Sequence, residues 1–236
     1  MKTNGNTVLN GSIVQMEESS PIHDHLHIIE DDHTYTGPDT PLHSDAFRIS
    51  DKDKIELIED QFKKIMLILG LDLNDDSLMN TPRRVAKMYI EEIFSGLDPK
   101  NKPRITLFEN KYHYNEMLVE KNITVNSYCE HHFVPITGKA HVAYISNGKV
   151  IGLSKINRLV QYYSRRPQVQ ERLTIQIAEA LKEALNTNDV AILLDTTHMC
   201  VTMRGVQDVN SSTVTSSFHG AFKDQVKRQE FLEMIR

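Results

Sequence analysis

The sequence predicts an α+β fold, with a largely antiparallel sheet and helices packed on one face. Three observations carry that prediction. Helical periodicity fills residues 51–97, strand-like alternation begins near residue 104, and two helical stretches are then inserted between strand pairs instead of alternating with every strand.

Residues 1–50 are set apart by composition. They hold few large apolar side chains, many Ser, Thr, Asn and Asp, and the histidines His23, His25, His27, His33 and His43. Such a segment buries too little surface to offset its ordering entropy, so a mobile polar tail is expected there. The alternation His23-Asp24-His25-Leu26-His27 is also compatible with weak metal binding.

A helical region over 51–103 should follow. Ser50-Asp51 is a suitable N-cap, Ile55, Ile58, Phe62, Ile65, Met66 and Leu69 recur at helical spacing, and Gly70 is placed to end the helix. Thr81-Pro82 opens a second helix, whose apolar stripe is Val85, Tyr89, Ile93 and Phe94, before Gly96.

The domain over 104–236 begins with strand signals at Ile105 to Leu107, Glu116 to Val125 and His141 to Ser146. Asn147-Gly148 suggests a type I′ hairpin turn into Lys149 to Gly152. Helices are expected over Ser154 to Ser164 and about Gln168 to Leu185, divided by Pro167. Val190 to Asp195 and Met199 to Met203 read as paired strands, and Phe222 to Ile235 as a closing amphipathic helix.

Composition narrows the function classes. The chain of 236 residues carries a formal net charge of -5, which gives no general attraction to nucleic acid or to an anionic membrane. A phosphate site would therefore be a local basic pocket. Met1 to Gln15 lacks the charged and apolar regions of a secretory signal, and no run of 18 apolar residues occurs. With only Cys129 and Cys200, a disulfide framework is not expected, and a cytoplasmic setting with free or metal-bound thiols fits.

The most informative stretch is Cys129-Glu130-His131-His132-Phe133. Cys129 and His132, three apart, meet only if the chain turns there, and a second cysteine lies in His198-Met199-Cys200. Two thiolates and an imidazole would hold one zinc ion with a fourth position left for water, the pattern of a catalytic site. Two readings stand side by side at this point, because lone cysteines are also common as small buried hydrophobes. If Met199–Met203 is a strand, His198 and Cys200 project to one face, and His198 overhangs the metal as a proton carrier. His131, a direct neighbour of His132, is equally readable as an ordinary surface or core histidine.

Basic residues cluster in three places. Lys155 and Arg158 open a helix after Ser154, Arg204 follows the second cysteine, and Arg84 and Lys87 begin the second helix. Each is also consistent with a solvated face. Glu171 suits a helix N-terminus, and a carboxylate there can equally accept the paired N–H donors of guanine.

Taken together these residues resemble the GTP cyclohydrolase I family. The carriers are Cys129 to Phe133, Val150 to Arg158, Arg166 to Leu173, His198 to Gly205, Thr81 to Tyr89 and Glu92 to Leu97. The similarity spans about residues 51–236. It implies a tunnelling fold whose subunit sheets close into a barrel, in a homodecamer of two pentameric rings with active sites between subunits. It also implies Cys129, His132 and Cys200 as ligands of one zinc per subunit, and His198, His131 and Ser154 as catalytic residues. Lys155, Arg158 and Arg204 correspond to triphosphate contacts, Arg84 and Lys87 to contacts from a neighbouring subunit, and Gln170 and Glu171 to guanine recognition. The implied reaction opens the guanine imidazole ring of GTP at C8, releases formate and forms 7,8-dihydroneopterin triphosphate.

Two rivals remain in view. A zinc nucleobase deaminase would carry H-x-E with P-C-x-x-C, and this chain has neither. A non-catalytic nucleotide- or pterin-binding protein stapled by zinc would need a fourth protein ligand, a place His198 could fill.

Overall fold

The structure, a computed structural model, describes residues 37–236. The possible metal ligands His23, His25 and His27 lie outside the described residues.

Helix α1 (Asp51–Ile68) starts where Ser50 accepts from the Asp53 backbone N–H, a side-chain cap for an otherwise unpaired donor. It stops at Gly70, whose φ of 80° only glycine adopts without strain. Helix α2 (Thr81–Lys87) is capped by Asn80 rather than Thr81, with Pro82 in its first turn. The chain then loosens into a π-helical turn over Met88–Ile93. That turn carries Tyr89 to within 5.3 Å, ring centre to ring centre, of Phe94.

The main sheet has five strands in the order β5-β2-β3-β6-β7. Its strands are β2 (Met117–Cys129), β3 (Pro135–Ile145), β5 (Pro167–Gln168), β6 (Val190–His198) and β7 (Thr213–Phe218). All neighbours are antiparallel except the short β5, which runs parallel to the end of β2. The strand signals around residues 105–107, 116–125 and 141–146 correspond to β1 (Leu107–Glu109), β2 and β3.

Two expectations about pairing are overturned. Lys149–Ile151 (β4) does not fold back on β3; it pairs with β1 in a separate two-stranded sheet. Gly148 has a positive φ but Asn147 does not, so a type I′ turn, which needs both, is absent. Ser146 instead holds the corner by donating to the Lys149 carbonyl. Likewise β6 pairs with β3 and β7, while Met199–Thr202 forms one helical turn, α5.

Helices α3 (Leu153–Ser164) and α4 (Gln170–Leu185) cover one face of the sheet. There the alternate residues Val190, Ile192 and Leu194 of β6 meet Ile156, Leu159, Ile177 and Leu181, all essentially buried. The opposite face is capped at one end by α6 (Gln225–Ile235), where Phe222 and Phe231 pack on Met117, Ala143 and Ala191.

A one-residue bulge in β2 between Glu120 and Ile123 lets the strand change faces. Before the bulge Met117 and Val119 point toward α6; after it Ile123 and Val125 point toward α3 and α4. The shift of parity puts Cys129 on the helix side. His198 is on that side as well, in step with Val190 to Thr196 of β6.

Candidate metal centre and active site

At one end of the sheet three chain reversals converge. Strand β2 ends at Cys129, β3 begins just after a tight turn, and His198 closes β6 opposite Ile136. The turn is held by the Cys129 N–H donating to the Val134 carbonyl at 2.9 Å, and by Phe133 N–H donating to the Cys129 carbonyl at 2.8 Å. To close it, Phe133 takes a φ of 54°, strained for a bulky side chain. Its ring is repaid by an aromatic cluster, with Phe94 at 5.2 Å and Tyr89 at 6.5 Å. Reversal of the chain brings His132 back over Cys129, with Nδ1 3.7 Å from Sγ.

Cys129, His132 and Cys200 each offer a ligand atom, and these atoms lie within 4.8 Å of one another. Cys129 is buried and Cys200 half-buried. Burial, with Cys129 beside it, pushes the Cys200 thiol up, while Arg204 pulls in the other direction. A cation held against the Cys200 sulfur would offset that penalty. Sulfur, sulfur and imidazole nitrogen suit zinc, so the donor set fits that ion.

The expected geometry of the second cysteine is corrected here. His198 and Cys200 do not alternate along one strand, because Cys200 lies in α5. The helical turn, not strand periodicity, returns the thiol toward Cys129. His131 also faces the centre, with Nδ1 3.8 Å from the Cys129 sulfur and Nε2 3.8 Å from a Glu130 oxygen. Arg204 reaches back so that its guanidinium lies 2.8 Å from His132 Nε2.

His198 is half-buried, and desolvation lowers its pKa, opposed by the nearby Glu171 carboxylate. Glu171 itself is exposed in the first turn of α4. Gln170, beside it, is 1% exposed and bonded on both sides of its amide, including 2.7 Å from Oε1 to His198 Nε2.

A support that sequence reading missed lies under the turn. Arg172, 3% exposed in its side chain, grips Glu130 with contacts of 2.5 and 3.2 Å and donates to the Gly37 carbonyl at 3.0 Å. The signal in the sequence was a cation in the first turn of α4, where the helix dipole disfavours it unless a carboxylate stands near.

Other predicted site residues lie elsewhere in the chain. Ser154 and Lys155 open α3 just beyond Ile151, whose N–H is held by the Tyr144 hydroxyl. Tyr144 is eight residues along β3 from Ile136, roughly 26 Å at the rise of a strand. Within one chain Ser154 therefore stands well along the sheet from the turn that carries His131. Arg158 lines a separate recess with Ser95, Asn101 and Arg165, and Arg84 and Lys87 are exposed on α2.

Comparison with known proteins was decisive for kinship. The family model described as GTP cyclohydrolase I matches residues 58–236. The chain belongs to the GTP cyclohydrolase I family. It is 56% identical over 213 residues to GTP cyclohydrolase 1 of Flavobacterium johnsoniae, covering 90% of this chain and 96% of that one. The corresponding protein of an Enterobacter species is 54% identical over 201 residues, with 85% and 90% covered. That of Salmonella arizonae is 50% identical over 221 residues, with 93% and 96% covered. Cys129, His132, Cys200 and His198 thus sit in a chain that matches these family members nearly end to end.

Proposed function

We propose that the protein is a zinc-dependent GTP cyclohydrolase I. The observation that carries the reading is the convergence of Cys129, His132 and Cys200 within 4.8 Å, at the same sheet end as His198. When bound, zinc would supply Lewis acidity that brings the pKa of a water toward neutrality.

The residues divide the remaining work. Glu171, at the N-terminus of α4, accepts the two adjacent N–H groups of the guanine edge. Arg204 meets the triphosphate from the metal side. His198 delivers a proton to N7 as water adds at C8, which opens the five-membered ring to a formamide. A second water releases formate, and His131 assists the proton transfers that follow. Amadori rearrangement of the ribose and ring closure, with loss of water, give 7,8-dihydroneopterin triphosphate. Imidazoles suit these steps because their protons exchange near neutral pH.

In this reading the phosphate cradle is completed across subunits. Ser154 and Lys155 of α3 stand far along the sheet from their own metal ligands, and Arg158 lines a separate recess with Ser95 and Arg165, so a neighbouring copy supplies these contacts, and Arg84 and Lys87 serve in the same way. A ring-shaped homodecamer of two pentamers, with the sheets closing into a barrel, meets that requirement. No helix among the described residues is long and apolar enough to cross a membrane, which is compatible with a cytoplasmic enzyme.

The test is incubation of wild type and His198→Ala with GTP, following formate, pterin absorbance and metal content. Wild type should yield both products, and the variant should keep zinc while yielding neither. A wild type that holds zinc and leaves GTP untouched would instead identify a zinc-stapled binding protein.

A further inference from the structure

Gln170 is the first residue of α4 and is almost wholly enclosed. Its amide nitrogen lies 2.8 Å from the Thr213 carbonyl, 3.3 Å from the Leu194 carbonyl and 3.1 Å from the Thr215 hydroxyl. Its amide oxygen lies 2.6 Å from the Thr196 hydroxyl and 2.7 Å from His198 Nε2.

The donors and acceptors of this network admit one arrangement. Carbonyls only accept, so the end of Gln170 facing Thr213 and Leu194 must be the NH₂ group. A flipped amide would set oxygen against two carbonyl oxygens, with no donor between them. The hydroxyls agree independently. Thr174 donates to the Gln170 carbonyl at 2.8 Å, so it accepts from Thr215 at 2.7 Å. Thr215, its one hydrogen thus engaged, can only accept from Gln170. The amide oxygen is therefore an acceptor with both lone pairs in use, one by Thr196 and one by His198.

It follows that His198 Nε2 carries a hydrogen. We propose that Gln170 is a positioning residue that holds His198 as the Nε2–H tautomer, making Nδ1 the atom that exchanges a proton with the substrate. This rests on the reading of His198 as the proton carrier. It also gives the buried amide a role distinct from touching the guanine edge, which is left to Glu171. A ring hydrogen bond of this kind sets both the tautomer and the rotation of the imidazole. Because α4 is packed along the sheet, the amide is anchored to β6 and β7 at once, and the ring cannot turn without breaking buried bonds.

The direct measurement is ¹⁵N solid-state NMR of the intact, zinc-loaded protein labelled at histidine, at a pH where imidazole is neutral. The His198 signals are assigned by their loss in His198→Asn. The expected spectrum has a protonated Nε2 and an unprotonated Nδ1; a protonated Nδ1 on the neutral ring overturns the proposal, and no substitution of Gln170 is needed to see it. The kinetic companion is Gln170→Met, which keeps the length of the side chain and removes its polar atoms. Loss of about 10- to 100-fold in kcat is expected, with KM for GTP within about twofold and zinc content unchanged. A rise in KM at constant kcat would show direct ligand contact and overturn the positioning role. Thr215→Val removes one acceptor but leaves both carbonyls facing the amide, so it should preserve the wild-type tautomer. Full formate release by His198→Asn would refute the proton-carrier reading itself, while the tautomer measurement reports on Gln170 separately.

Discussion

Arg172 and Glu130 form a two-pronged ion pair between α4 and the turn that carries Cys129 and His132, with contacts of 2.5 and 3.2 Å. The same guanidinium holds the Gly37 carbonyl, so the turn, the helix and the chain leading into the domain share one anchor. Pro38 and Thr40 add bonds to Gln176 and Arg166.

Removing one partner leaves the other charge poorly solvated, which typically costs about 3 kcal/mol for a buried pair. Arg172→Met and Glu130→Gln should each destabilise the protein on that scale, and the double variant should lose less than the sum. Urea unfolding of all four proteins measures the coupling. Strict additivity would show that the pair does not act as a unit.

At Gly138 the backbone of β6 leaves no room for a side chain on β3. A Cβ there would lie 2.1 Å from the Asp195 carbonyl oxygen and 2.6 Å from the Thr196 Cα, both backbone atoms that cannot yield. Gly138→Ala should therefore destabilise by at least about 3 kcal/mol, in the upper range for overpacking. It should also reduce metal retention, because the displaced strand leads to His198. Thermal unfolding and a metal assay test both effects.

Metal removal should expose the proximity of the two thiols. After chelation, mild oxidation is expected to join Cys129 and Cys200 within one chain, whereas zinc-loaded protein should resist under the same conditions. Peptide mapping under non-reducing conditions reads the outcome, and Cys200→Ser should abolish the crosslink. Two free thiols after prolonged oxidation of the chelated protein would contradict it.

His141 lies 8% exposed on the sheet face away from α3 and α4, with Nδ1 unpartnered. Burial, Lys139 and Lys121 lower its pKa, and Asp195 only partly opposes them. The folded protein therefore binds this proton less readily than the unfolded chain. Its stabilising contribution is complete above the ordinary imidazole range near 6.5 and is lost as pH falls through the lower folded value. His141→Asn should flatten that acid limb. Unfolding free energies between about pH 8 and pH 5 check the slope, and parallel curves for both proteins would sink the assignment.

Helix α1 leaves Leu57, Ile65, Leu67 and Ile68 between 47% and 85% exposed, more apolar surface than a solvated helix carries singly. If copies assemble as proposed, Ile65→Asp with Ile68→Asp should lower the mass measured by light scattering. An unchanged assembly would remove this face from the subunit contacts.

Much of the domain was legible from local pattern. The periodicity of α1, α3 and α4 and the β-branched runs of β2, β3 and β6 each report a buried face within a few neighbouring residues. Strand β7 was missed because Thr213 to Phe218 holds mostly small polar residues, and it lies at a sheet edge where burial is slight. The helical turn at Met199 was read as a strand because four residues are too few to distinguish the two periods.

By itself the sequence determined the set of candidate donors, since its two cysteines, Cys129 and Cys200, each stand within three residues of a histidine. It also determined which helices and central strands form, because hydrophobic spacing is a local property. Tertiary structure alone decided that β4 leaves β3 for β1, that a bulge turns Cys129 to the side of His198, and that Gln170 is held against His198 instead of facing outward. It also decided that Ser154 and Lys155 stand far from their own cysteine pair. Each of these depends on hydrogen-bond partners distant in sequence, whose pairing is set by how whole strands register and pack, and no local spacing encodes that choice.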